Sequence, residues 1–185
     1  MLFIFKGYVY NIIMKKQIKT KKSDKPTWDE YFLTLTEAVG SRSSCNRGRT
    51  GCIITRDHRI LSTGYAGAPR GLPHCDDVGH EMHTVIHADG SRTDHCIRTT
   101  HAEQNAIAVA ARFGISLDGG TLYCHMTPCY TCAKTIINAG IKNVVVLKDY
   151  LVGNRTKEIF KDAKIKLTIA TKEMERYIGV DQKNK

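Results

Sequence analysis

From residue 101 onward the chain alternates between helical and strand-like apolar spacing, with glycine or proline at most of the changes. Residues 101–113 are alanine-rich and helical in pattern, and Gly114 follows as a stop. Residues 120–125 read as a strand. Residues 128–139 read as a helix with Pro128 at its start and Gly140 at its end. Residues 141–147 are β-branched, with consecutive apolar side chains, as expected of a parallel strand buried on both faces. A weaker helix over 157–163 and a strand over 165–169 close the series. Repeated strand–helix–strand units require a parallel core with helices packed on it.

Upstream, Trp28, Phe32, Leu35 and Val39 recur at helical spacing, predicting an amphipathic helix over 27–41. Gly51–Arg56 and residues 60–65 read as strands joined by a turn at Asp57-His58-Arg59. The whole order predicts an α/β fold, a three-layer α/β/α sandwich around a mixed, about five-stranded sheet. Residues 66–100 fit none of this. They hold prolines, glycines, polar turn residues and five of the eight histidines, and read as one long irregular stretch. A loop that long inside a domain is either functional or pinned by something.

The chain has 185 residues, enough for one domain with short extensions. We expect a basic extension over 1–25, a catalytic domain over 26–172 and a polar tail over 173–185. Of the net charge of +10, +6 falls in the first 25 residues, which carry seven lysines and one acid, Asp24. That extension reads either as a solvated tail or as a binder of an anionic partner. The remaining +4 argues against nucleic acid as a partner of the folded part. Residues 1–13 are apolar but short and interrupted by Lys6 and Asn11, which argues against a membrane span or secretory signal. Met14 is an alternative start. A cytoplasmic location is expected. There, seven cysteines suggest metal ligands or core thiols rather than disulfides. Cys52 and Cys124, in predicted strands, read as core thiols.

Two predicted helix starts carry chemistry. One reads His101-Ala102-Glu103, the other Pro128-Cys129-Tyr130-Thr131-Cys132. Cysteines three apart at a helix start can face one point, where unpaired N–H groups favour the thiolate. His101, Cys129 and Cys132 supply three ligands for tetrahedral zinc and leave the fourth position open, which marks a catalytic site. Glu103 can then reach a water on the metal without binding the metal. Zinc lowers the pKa of such a water from about 16 to about 7, and a positioned carboxylate adds roughly 10²–10⁴ in rate. A lone C-x-x-C also serves redox and structural sites, so the pairing with H-x-E is what carries the reading. A second set, Cys45, Cys75, His80 and Cys96, has the composition of a closed structural zinc site and would pin the irregular stretch. His74, His83, His87 and His95 rival His80 as its fourth ligand; the compact loop from Cys75 to His80 favours His80.

H-A-E with P-C-x-x-C resembles the signature of the zinc-dependent cytidine deaminase superfamily. The stretch from Trp28 to about Tyr150 resembles more narrowly its deoxycytidylate (dCMP) deaminases, including the late-competence type. The matching pieces are W-D-E-Y-F, R-S-S-C, S-T-G-Y-A-G-A-P-R-G-L-P-H-C, H-A-E-Q-N-A-I, T-L-Y, P-C-Y-T-C and I-I-N-A-G-I. The resemblance implies a cytidine deaminase-like fold, catalytic zinc on His101, Cys129 and Cys132, and Glu103 as proton shuttle from water to N3 of cytosine. It implies conversion of dCMP to dUMP, a second zinc at positions matching Cys45 and Cys75, assembly as a homo-oligomer such as a hexamer, and dCTP and dTTP as effectors. Relatives carry Asn where this chain has Ala66, which removes a nucleotide contact. Ser41, Arg42, Ser43, Arg47, Arg49 and Arg70 are candidates for the phosphate. Asn105 lines the nucleoside pocket or satisfies buried backbone. Two other readings remain, a tRNA adenosine deaminase with the same zinc chemistry and a non-catalytic nucleic-acid-binding zinc module.

Overall fold

The computed structural model describes residues 24–86, 90, 92–151 and 153–175. The basic extension, apart from Asp24 and Lys25, lies outside the described residues, as do His87 and the chain after 175.

The elements are α1 Trp28–Gly40, β1 Gly51–Arg56, β2 Arg59–Tyr65, α2 Cys75–Val78, β3 Met82–Ile86, β4 Arg92–Cys96 and α3 Ala102–Arg112, followed by β5 Thr121–Met126, α4 Tyr130–Asn138, β6 Asn143–Tyr150, α5 Asn154–Asp162, β7 Lys166–Ile169 and β8 Met174–Glu175. The main sheet runs β2-β1-β5-β6-β7, with β8 added to β6. β1 is antiparallel to β2 and β5, whereas β5, β6 and β7 are parallel, so the sheet is mixed.

Strand alternation sorts the core into two layers. Ile53, Tyr123, Val145 and Leu147 face one side, where Phe32 and Leu33 of α1 cover them. Cys52, Ile54, Leu122, Cys124, Val144 and Val146 face the other side, under the small residues Ala102, Ala106 and Ala110 of α3, Ala133 and Ile136 of α4, and Phe160 of α5. This is the expected α/β/α sandwich, and Cys52 and Cys124 sit buried opposite each other within it.

Several boundaries differ from the sequence reading for identifiable reasons. The β1–β2 turn is only Asp57-His58, both at positive φ (51° and 58°), and Arg59 already pairs with Arg56. Such a two-residue turn matches the twist of the strands, and Asp and His tolerate this region better than most residues. Trp28 is not on the buried face of α1. It is 46% exposed and stacks on His58 at 4.3 Å, because it begins the helix directly after the N-cap Thr27, inside the Thr27–Glu30 capping box. The stretch 66–100 is not irregular throughout. It contains α2 and the β3–β4 hairpin, paired from Met82↔Cys96 to Ile86↔Arg92. Every residue of β3 is exposed, so no apolar alternation marks it in the sequence. β8 pairs with the end of β6 beyond residue 172.

Asp149, near the end of β6, accepts hydrogen bonds from the Thr127 hydroxyl (2.8 Å), the Tyr150 N–H (2.8 Å) and the Lys157 ammonium. Burial pushes its carboxyl up, but these donors outweigh burial and hold it below its ordinary value. A depressed pKa gives stability that is complete above the unfolded value near about 4 and is lost as pH falls through the folded one. The melting temperature of the natural chain is therefore expected to fall more steeply on acidification than that of Asp149→Asn. Parallel acid profiles in thermal melts would count against this role.

Candidate metal centres and the cleft between them

Pro128 precedes α4 rather than opening it. Cys129 is the N-cap, with extended backbone (φ −66°, ψ 163°), and Cys132 is three residues into the turn. His101 is likewise the N-cap of α3, with Glu103 in its first turn. Two helix N-termini, each with a positive dipole end and unpaired N–H groups, thus converge on one point. The His101 Nδ1 lies 3.5 Å from the Cys129 Sγ and 3.4 Å from the Cys132 Sγ. Zinc bonds of about 2.0–2.3 Å at tetrahedral angles place ligand atoms roughly 3.5–3.8 Å apart. Both thiols stand at that distance from His101, and all three ligand atoms lie within 4.8 Å of one another, so the three side chains suit one zinc.

The electrostatics suit a cation. Hydrogen bonding from Cys132 holds the Cys129 thiol well below its usual range against the opposing effect of burial, and the contact with Cys129 raises the His101 imidazole. Glu103 is buried beside them. Burial pushes its carboxyl up, partly opposed by His101. A buried carboxyl beside a metal site is placed to take a proton from a water there and pass it on.

The second set also converges. The Sγ atoms of Cys75 and Cys96 are 3.6 Å apart, and the Cys45 Sγ is 3.8 Å from the His80 Nδ1; all four ligand atoms lie within 4.8 Å of one another. The His80 Nε2 is 2.9 Å from the Asn46 Oδ1. That partner fixes the ring with Nε2 as donor and leaves the Nδ1 lone pair facing the thiols, as metal-binding histidines require. The rivals among the described residues have other surroundings. His74 pairs with Ser44, His83 is exposed on β3, and His95 meets Thr93. The four donors tie the loop after α1 to α2 and to the end of β4, which is the pinning the long stretch needed.

Both sets border one cleft. Cys45 and Cys96 of one set and His101 and Cys129 of the other line it, together with Glu103, Arg47, Ala66, His95, His125, Thr127 and Tyr150. Of the proposed substrate contacts, Ala66 and Arg47 line this cleft; Ser41, Arg42, Arg49 and Asn105 do not. The Ser41 hydroxyl caps α1 by donating to the Ala38 carbonyl. Arg42 is exposed at the end of α1. Arg49 donates to the Ser43 carbonyl (2.7 Å) and pairs with Asp76 at 3.9 Å. The Asn105 amide donates to the Tyr65 carbonyl (2.8 Å), so it satisfies backbone. His125, Thr127 and Tyr150 were missed. They stand at the carboxyl ends of the parallel strands β5 and β6, where open α/β sheets place their ligands, and that rule could have been applied to the strand pattern.

Residues 26–148 match the family model described as the cytidine and deoxycytidylate deaminase zinc-binding region. The chain is 37% identical to ComE operon protein 2 of Bacillus subtilis over 162 residues, covering 88% of this chain and 79% of that protein. It is 32% identical to the deoxycytidylate deaminase of Schizosaccharomyces pombe over 162 residues, again 88% of this chain but only 50% of that protein, so it spans about half the length of that relative. Among solved structures, it matches dCMP deaminase from the cyanophage S-TIM5 in complex with dCMP and dUMP. There the identity is 27% and the TM-score 0.62, with 83% of this chain and all of that one covered. No helix among the described residues is long and apolar enough to cross a membrane. The chain belongs to the deoxycytidylate deaminase family of the zinc-dependent cytidine deaminase superfamily.

Proposed function

We propose that this chain hydrolyses dCMP to dUMP and ammonia, with zinc on His101, Cys129 and Cys132 and a second, structural zinc on Cys45, Cys75, His80 and Cys96. The observation that carries the reading is the convergence of three ligand side chains beside a buried carboxyl, Glu103, at an open cleft that His101, Glu103 and Cys129 line. The deoxycytidylate deaminase among the relatives and the nucleotides in the matched crystal structure support dCMP as the substrate.

Zinc at this position would supply a Lewis acid that makes water nucleophilic at neutral pH. Glu103 accepts a proton from the attacking water and delivers it to N3 of the cytosine. The oxygen forms a bond to C4, the C4–N4 bond breaks, and a second proton through Glu103 lets the amine leave as ammonia. His101, Cys129 and Cys132 stay fixed by their helix starts. Arg47 is the arginine lining the cleft. One of its terminal nitrogens donates to the Asp94 carbonyl at 2.9 Å, which fixes the guanidinium at the cleft, and we assign its remaining N–H groups to the 5′-phosphate. Ala66 donates nothing from its side chain to the sugar. Its carbonyl accepts from the Ser43 hydroxyl at 2.5 Å, so this turn is held by Ser43 instead.

The test is ammonia release from a panel of dCMP, CMP, deoxycytidine and tRNA, with the full chain and with residues 1–25 removed. Turnover of dCMP by both proteins is expected. Activity on tRNA alone, lost with the extension, would replace this reading by the tRNA adenosine deaminase one.

Two metal ions per chain follow from the two clusters. Elemental analysis of purified protein should find two zinc ions, and one in Cys45→Ser, with a lower melting temperature. A natural chain that holds one zinc, unaffected by Cys45→Ser, would remove the structural site.

A further inference from the structure

The start of α4 has an unusual problem to solve. A helix normally fixes its entry angle with a polar side chain at the N-cap and a partner three residues on. Here both positions hold metal-binding cysteines, Cys129 and Cys132, and the cap position makes no side-chain hydrogen bond. Pro128, just before, has no N–H to offer. At α3 the equivalent task is performed by Gln104, whose Oε1 accepts from the His101 N–H at 3.1 Å. Nothing equivalent is available within α4.

Two side chains from elsewhere in the fold stand in for the missing cap. The Thr156 hydroxyl, on α5, donates to the Pro128 carbonyl at 2.9 Å. The Thr127 hydroxyl donates to Asp149 on β6, and the Thr127 N–H donates to the Lys148 carbonyl at 3.1 Å. Both threonines are 1% exposed, so neither bond exchanges with water. Lys157, on α5, holds the other oxygen of Asp149. The peptide that launches Cys129 is therefore gripped from α5 on one side and from β6 on the other.

We propose that Thr156 is a positioning residue for the zinc centre, its bond to the Pro128 carbonyl setting the direction in which Cys129 presents its thiolate to the metal. The inference rests on the assignment of zinc to His101, Cys129 and Cys132. Partners behind metal ligands commonly govern metal affinity by about 10–100-fold.

The experiment uses the full chain loaded with cobalt(II), whose visible bands report thiolate ligation, titrated with a chelator. The Cys129→Ser protein identifies the step that belongs to the Cys45 cluster. Thr156→Val keeps the side-chain shape and removes the hydroxyl. It is expected to lose cobalt from the His101 site at about 10–100-fold lower chelator concentration, with the Cys45 step unmoved, and Thr156→Ser is expected to restore the natural value. Thr156→Ala, which also removes the hydroxyl, is measured alongside and decides the matter by the same readout if Thr156→Val does not fold. Equal affinity in the folded variants lacking the hydroxyl and the natural chain overturns the positioning role and leaves the zinc assignment intact. Weakening of both steps together also overturns it, as a general loss of stability. A natural chain whose only cobalt step survives Cys129→Ser overturns the zinc assignment and the inference with it.

Discussion

Glu103→Ala protein is expected to keep its full zinc content and to lose about 10²–10⁴-fold in dCMP turnover, the range that a positioned acid–base group contributes. Zinc retention follows from geometry. The ligand atoms belong to His101, Cys129 and Cys132, and the carboxyl is not one of them. Retention of fold follows from the position. Glu103 lies in the first turn of α3 between Ala102 and Gln104, and alanine is the best helix former. The carboxyl is also costly where it stands, since burial raises its pKa; burial, and to a lesser degree the Glu103 charge, also raises the Cys52 and Cys124 thiols. Its removal should thus leave the melting temperature unchanged or higher. Glu103→Gln separates charge from shape. It fills the same space but cannot carry the proton between water and N3, so it should be as inactive as alanine. Isothermal dCMP assays with parallel metal analysis decide the point. Turnover within tenfold of the natural chain, or zinc lost in proportion to activity, would reject Glu103 as the proton carrier.

The parts of this molecule readable from sequence are those in which chemistry and periodicity coincide. His101 and Cys129 each begin a helix, so a spacing rule found both the ligands and the elements that aim them. The buried strand β6 was legible because a short β-branched apolar run after the Gly140 stop suits a strand buried on both faces and little else. His80 was chosen among five histidines by the tightness of its loop with Cys75, and the structure does bring it beside the three cysteines. What escaped was of another kind. β3 and β4 pair outside the core: Met82, Val85 and Ile86 of β3 are apolar but exposed and do not alternate with polar residues, so their spacing carries no one-faced strand pattern. Asn46, Asp149 and Thr156 act through backbone or side chains distant in sequence, and no local pattern identifies such partners. Asn105, read either as a pocket residue or as a partner for backbone, takes the second role, and Arg49 is likewise tied to the scaffold. Each sits near a motif, yet each is occupied with a carbonyl of the scaffold.

Gly64→Ala is expected to harm both stability and catalysis, although residue 64 touches neither metal cluster. Gly64 lies in β2 where α3 crosses it. A Cβ there would sit 2.3 Å from the Ala102 carbonyl oxygen, 2.3 Å from the Ala106 nitrogen and 2.9 Å from the Ala106 Cα. All three are backbone atoms, so no side chain can swing aside, and α3 itself must move off the sheet. Overpacking of this kind costs about 1–3 kcal/mol, a fall of roughly 2–12 °C in melting temperature for a domain of this size. The displaced helix carries His101 at its cap and Glu103 in its first turn, and both must stay in register with Cys129 and Cys132 on α4. A misplacement of about 1 Å in catalytic geometry can cost on the order of 100-fold in rate. Turnover at a temperature where the variant is fully folded should therefore drop by more than tenfold. Gly67→Ala is the matched comparison. There the close neighbour is the Ser44 hydroxyl at 2.8 Å, a side-chain atom that can rotate away, and both effects should be small. If Gly64→Ala melts and turns over dCMP like the natural chain, α3 is not held against β2 by this contact. Loss of stability without loss of rate in the folded protein would show instead that α3 can shift while the metal site stays aligned.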